Sequence, residues 1–355
     1  MHFAPSLAVR TRVILAGVFV LSALAAAGRA AEADVTREQR LAAIRHARVW
    51  SATNVRAMDL MHGPQGSLAF QPGETVTCTF TPKEHGKGST PKFECALPSG
   101  RALKVRYGKD NGEVYAQVAA TRLLWALGFP STRMYPVTVV CRGCPPDPFK
   151  DRTAAPRSGA TTFDPATIEV KADGETIETK PDEGWSWDEL ELVDENAGGA
   201  PVRERDALKL LAALMQHSSS KAINQRILCL DSPACHRTEM LLLDVGKTFG
   251  RANLLNNDAK GAVNYKAWAG VPIWKGATGC VADLPGSLSG TLHDPRISEG
   301  GRKFLADLLN QLSDAQIRDL FDVARVTTRD PSATVADWVN AFKAKRAAIA
   351  TRTCP

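Results

Sequence analysis

The chain has 355 residues, with 44 Lys and Arg against 38 Asp and Glu, a formal net charge of +6, and eight Cys. Three of the Arg fall in the first thirty residues, which hold no acid, so the remainder carries only +3. That balance, with no basic run interleaved with aromatics, excludes the electrostatic footprint of a nucleic-acid binder. About 325 residues after a leader suffice for one two-lobed domain or two small ones.

Residues 1–30 read as a secretory signal peptide: Arg10 and Arg12, an apolar run from Val13 to Ala27, then small residues at Ala30 and Ala31. The run is short for a membrane span, which needs about 20 residues, and no second one follows. The expectation is an exported, periplasmic or extracellular protein with no membrane span once the signal is cleaved. All eight Cys lie beyond the leader, and an even count in an exported chain favours disulfides.

Residues 31–70 read as an N-terminal helical extension, with Leu41, Ile44, Val49 and Val55 as an irregular apolar set. Residues 71–141 form a β-rich block. Runs from Thr75 to Phe80 and from Lys92 to Leu97 flank a turn at Gly86-Lys87-Gly88, and a third run spans Gly100 to Tyr107. Antiparallel pairing symmetric about Gly86-Lys87 sets Cys78 opposite Cys95 and predicts a bridge between them. Asn111-Gly112 opens a helix that Gly128 closes, and a β-branched run from Met134 to Cys141 follows. Cys141-x-x-Cys144 precedes Pro145-Pro146, and Cys229 and Cys235 lie too far apart for a zinc ribbon, so a structural bridge is expected at both.

Residues 142–355 form the remainder. A loop is expected to about Thr162. Runs at Thr167–Lys171 and Glu175–Glu178 around Asp173-Gly174 carry a hairpin signal. A short helix starts at Trp185 and a longer one runs from Pro201 to near His217. Short strands at Asn224–Leu230 and Met240–Leu243 precede a helical C-terminus, where Ser313-x-x-Gln316 has the form of a capping box. No repeat or low-complexity tract is evident.

The chemistry concentrates at His217-Ser-Ser219-Ser-Lys221-Ala-Ile-Asn224, followed twenty residues later by Asp244-Val-Gly246. This spacing resembles the catalytic loop and metal-binding turn of an atypical, exported protein-kinase-like family, related in pattern to secretory-pathway kinases and lipid- or toxin-type kinases. Three strands, a helix and a strand are likewise the order of a kinase N-lobe. The resemblance implies an α+β, bilobal protein-kinase-like fold, with a β-rich N-lobe and a mostly helical C-lobe. It also implies ATP and Mg²⁺ in the cleft, with an unidentified protein or small-molecule acceptor. Lys104, alternating with Leu103 and Val105, suits the phosphate-contacting lysine. Gln117, or Glu113 one turn earlier on the same helix face, stands where that lysine's acidic partner is expected. Asn224 and Asp244 suit hard oxygen donors for Mg²⁺.

The pattern departs from an active kinase at Ser219, which replaces the carboxylate that orients the attacking hydroxyl, and at Gln117. A serine does not accept a proton as a carboxylate does near neutral pH. A pseudokinase with impaired or atypical transfer follows. Two other readings use the same residues. Ser218-x-x-Lys221, with Lys247-Thr248, has the nucleophile spacing of penicillin-binding acyl-transfer enzymes, although residue 249 is Phe rather than Gly. The third is a purely structural, partner-binding module.

Overall fold

The structure is a computed structural model that describes residues 1–2, 35–83, 88, 90–252 and 262–355. Val35–Pro355 form one compact unit, to which everything below belongs. The signal-peptide expectation falls on residues outside the described set, as does Gly86 of the glycine turn.

The chain is α+β. It opens with α1 (Arg37–Arg45), held by a capping box between Thr36 and Gln39. The expected helical extension stops there. Beyond it only a single 3₁₀ turn forms, at Val55–Ala57. The reason lies in the backbone at Arg48, whose N–H donates to the Thr238 carbonyl and whose carbonyl accepts from the Met240 N–H, so the chain is held there in an isolated parallel β-bridge rather than a helix.

Strands β1 (Thr75–Thr81), β2 (Lys92–Ala96) and β3 (Ala102–Tyr107) precede α2 (Glu113–Leu127), and β4 (Arg133–Arg142) and β5 (Ala160–Val170) follow. The five strands close into a barrel in the order β1-β2-β3-β5-β4, with β4 returning parallel to β1. Closure was not expected, and β5 begins where a loop was. Thr167–Val170 pair with β3 and β4, while β6 (Glu175–Thr176) pairs elsewhere, so the expected hairpin does not form. Residues Ala166–Val170 are all buried, and such a stretch takes a partner on each side rather than a flimsy two-residue neighbour.

Cys78 and Cys95 are bridged, with Cα atoms 5.7 Å apart. Their register is not the one expected: Cys95 lies opposite Phe80, two positions on. A shift of two keeps both side chains on one face, so the bridge forms diagonally, whereas a shift of one would have separated them. Cys141–Cys144 and Cys229–Cys235 are bridged as expected, and Cys280 pairs with Cys354.

The barrel interior, with Phe93, Val105, Tyr135, Val139, Phe163 and Ile168, is a hydrophobic cluster of its own. Helix α2 belongs to the second, larger cluster. Only Trp125 of its fifteen residues is not buried, and it ends at Gly128 in the left-handed region, φ 87°, where a Cβ would strike the Ser51 carbonyl at 2.0 Å. Helix α3 (Val202–Met215), strands β7 (Gln225–Cys229) and β8 (Thr238–Leu242), and helices α4 (Tyr265–Gly270), α5 (Glu299–Leu309), α6 (Asp314–Val323), α7 (Val326–Arg329) and α8 (Val335–Thr351) complete the chain. The capping box at Ser313 opens α6.

Candidate functional site

Three elements bring polar side chains to one place. Strand β3 alternates, so Leu103 and Val105 enter the barrel core while Lys104 and Arg106 share the opposite face. Helix α2 lays Glu113 and Gln117, one turn apart, toward that face. The third contribution follows β8, where the chain passes through Leu243 to Asp244. Gly246 lets this turn approach the helix: a Cβ there would lie 2.7 Å from Glu113 Cγ and 3.0 Å from Gln117 Nε2.

Arg106 is the hub, although the sequence reading did not single it out. Its side chain is fully buried. Nη1 donates to Glu113 Oε2 at 2.7 Å, and Nη2 to Asp244 Oδ2 at 3.1 Å and to Glu169 Oε2 at 3.4 Å. Burial alone would lower its pKa, but Asp244, Glu113 and Glu169 outweigh that and raise it. Lys104 Nζ sits 2.8 Å from Glu169 Oε2, so its partner is a β5 carboxylate rather than Glu113 or Gln117. Glu113 is held by Arg106 and by the Thr90 hydroxyl at 2.7 Å. Gln117 Nε2 donates to Asp244 Oδ1 at 2.8 Å, and its own Oε1 is buried without a partner. Arg106 had a legible signal in its two-residue spacing from Lys104. Glu169 had none, because it sat in the expected hairpin.

Asp244 Oδ1 also accepts from the Gly246 N–H at 3.0 Å, so the carboxylate shapes its own turn while facing the cluster. Burial pushes its carboxyl up. The Arg106 guanidinium, then Lys104, the Gly246 N–H and Lys92, outweigh that and hold it well below the usual carboxylate range. It is ionised at neutral pH, and its side chain keeps 24% of its surface exposed.

The loop after α3 lies beside it. Gln216 ends the helix in the left-handed region, and Ser218 N–H donates to the Lys247 carbonyl at 3.1 Å, which ties the loop to the turn after Asp244. Asn224 Nδ2 donates to the Ser219 carbonyl at 2.7 Å and to Ser219 Oγ at 2.8 Å. The Asn224 carbonyl accepts from the N–H groups of Leu243 and Asp244, at 2.9 and 3.0 Å. Ser219 is therefore engaged with Asn224, and the amide oxygen of Asn224 is left as its acceptor. His217 is buried with neither ring nitrogen paired. Burial lowers its pKa to about 4 against the opposing pull of Asp244. Lys221 caps the 3₁₀ turn Ala222–Asn224 through its backbone. Residues 217–221 are not helical, so the three-residue spacing of Ser218 and Lys221 does not set them on one helix face, and the acyl-transfer reading gains nothing.

No known family model matches the chain, and no curated protein matches it. Among solved structures, that of a Helicobacter pylori proinflammatory kinase, CtkA, overlaps with a TM-score of 0.40 at 11% identity. The overlap covers 79% of this chain and 95% of that one. A likeness of that size carries neither fold nor activity across.

Proposed function

We propose that this is an exported, kinase-like protein that binds a nucleotide with Mg²⁺ between the barrel and the Asp244 turn, with phosphoryl transfer impaired or rerouted. The observation that supports it is the meeting of Arg106 and Asp244, 138 positions apart, with Lys104, Glu113 and Gln117 around them and Asn224 alongside. Positioned cations, an ionised carboxylate and an amide are what phosphoryl transfer asks of a protein.

The donor chemistry fits magnesium. Asp244 is ionised and partly exposed, and Asn224 has an amide oxygen to offer. Both are hard donors, and Mg²⁺ commonly takes one or two protein ligands with phosphates and waters. Bound there, the metal would neutralise charge on the phosphates. The chain's own residues do the rest. Lys104 presents an ammonium at the mouth of the cluster, Arg106 keeps Asp244 ionised, and Gln117 and the Gly246 N–H fix its orientation. Ser219, which accepts a hydrogen bond from Asn224, offers no charge to an attacking hydroxyl, which accounts for the impairment. Export is supported by four Cys pairs with Cα atoms 5.0–5.7 Å apart and by the absence, among the described residues, of any helix long and apolar enough to cross a membrane.

Thermal melting with ATP, ADP or GTP and Mg²⁺ or Mn²⁺ tests the reading. Ligand at a hundred times its Kd stabilises by about 2.7 kcal/mol. That shift is expected for the wild type and is expected to vanish in Asp244→Ala. Melting of the wild type that no nucleotide moves would refute the proposal.

A further inference from the structure

The cluster holds three carboxylates, Glu113, Glu169 and Asp244, and Arg106 and Lys104 meet them in direct ion pairs. A third cation is close by. Lys92 opens β2 directly opposite Arg106 in register. Burial, then Arg106, lower its pKa, and Asp244, Lys104 and Glu113 also act on it. Yet among the described residues it makes no hydrogen bond and no ion pair. Its Nζ lies 2.5 Å from where a Cβ on Gly88 would stand, at a backbone position with φ +94° that favours glycine. An ammonium this desolvated, with no acceptor of its own, is costly to keep unless an anion meets it.

We propose that Lys92 is an anion-binding residue of this site and receives the polyphosphate tail of the nucleotide. For the identity of the anion this rests on the nucleotide reading above. The arrangement gives the tail a cation on each of two neighbouring strands, Lys92 on β2 and Lys104 on β3, with Asp244 beyond them. Among the described residues Lys92 has no ion pair to break on accepting it, whereas Arg106 is fully buried and committed to three carboxylates. The tail therefore enters on the Lys92 side.

The test is titration calorimetry with tripolyphosphate, ATP and adenosine in chelator, so that no metal bridges the anion to Asp244. Lys92→Gln is expected to weaken tripolyphosphate and ATP by about ten- to a hundredfold, the weight of one hydrogen bond to a charged group. It should leave adenosine unchanged, and Lys92→Arg should stay within a few-fold of wild type. Reductive methylation of the wild type supplies a readout that needs no variant: tripolyphosphate is expected to protect Lys92. Equal tripolyphosphate affinity in Lys92→Gln, no tripolyphosphate binding by the wild type, or unprotected Lys92 would each overturn the proposal. Tripolyphosphate binding through Lys92, with neither adenosine nor ATP bound in chelator and no ATP bound when Mg²⁺ is restored, would uphold Lys92 and refute the nucleotide reading alone.

Discussion

Replacing Arg106 by Met keeps an unbranched but shorter side chain and removes the charge from the middle of the cluster. Three carboxylates then face Lys104 and Lys92. Their losses are unequal. Glu169 keeps Lys104 at 2.8 Å, and Asp244 keeps Gln117 and the Gly246 N–H. Glu113, with its side chain 8% exposed, keeps only the Thr90 hydroxyl. One stranded carboxylate therefore sets the magnitude, and breaking a buried pair from one side costs about 3–5 kcal/mol. At roughly 2 °C per kcal/mol for a large domain, the melting temperature should fall by about 6–10 °C. The sign with pH follows. Of the groups that hold the Asp244 carboxyl below the ordinary carboxylate range Arg106 is the largest, so the stability it gives is present above that ordinary value, near about 4, and is lost as pH falls through the lower folded value. Urea unfolding of both proteins at about pH 7.5 and about pH 3 should show the larger deficit at the higher pH. A deficit under about 1 kcal/mol, or one equal at both pH values, would refute Arg106 as the hub.

Three further outcomes are expected. Ser219→Asp restores a carboxylate beside Asn224 and should raise autophosphorylation by about 10²–10⁴-fold. A folded variant that binds nucleotide without any gain would mean the site serves binding alone. Adding Gln117→Glu should not help, because Lys104 is already paired with Glu169 and the new carboxylate would replace a donor 2.8 Å from Asp244. It should cost about 2 kcal/mol, and unchanged stability would rule out that contact. Among the bridges, Cys354→Ser opens a separation of 74 residues and Cys144→Ser one of only 3. Chain entropy then predicts losses of about 4 and about 2 kcal/mol, and equal losses in denaturant titrations would contradict that origin.

Much of the strand and helix order was legible because it is local. Alternation marked β1, β2 and β3, and Gly128 marked the end of α2. The α+β class followed from the same signals. What failed depended on partners distant in sequence. Asp173-Gly174 flanked by two extended runs is a sound hairpin signal, but each run had a stronger partner elsewhere. The stretch after α1 looked helical by composition, and β8 drew it into extended form. The cluster shows the same division. Lys104, Glu113, Gln117 and Asp244 were found by spacing, since each sits at a local landmark. Arg106 looked like one more polar residue on a solvated face. Only the covering of that face by α2 and Asp244 turns it into a buried charge, and only the β3–β5 pairing brings Glu169 to meet it.

The parallel return of β4 onto β1, with Thr75–Thr79 alongside Thr138–Arg142, has a consequence for recognition. An extended peptide can add itself to a sheet only where a row of backbone donors and acceptors is vacant. Among the described residues the closed barrel has no such row. In the other sheet β6 is two residues long, and the outer side of β8 is met by Arg48 and Ser131. Among the described residues, then, strand donation has no long edge to use. That includes donation by a second copy of this chain, so the same closure guards against edge-to-edge polymerisation. At the described residues, a protein acceptor would meet side chains on a finished surface rather than a vacant strand edge.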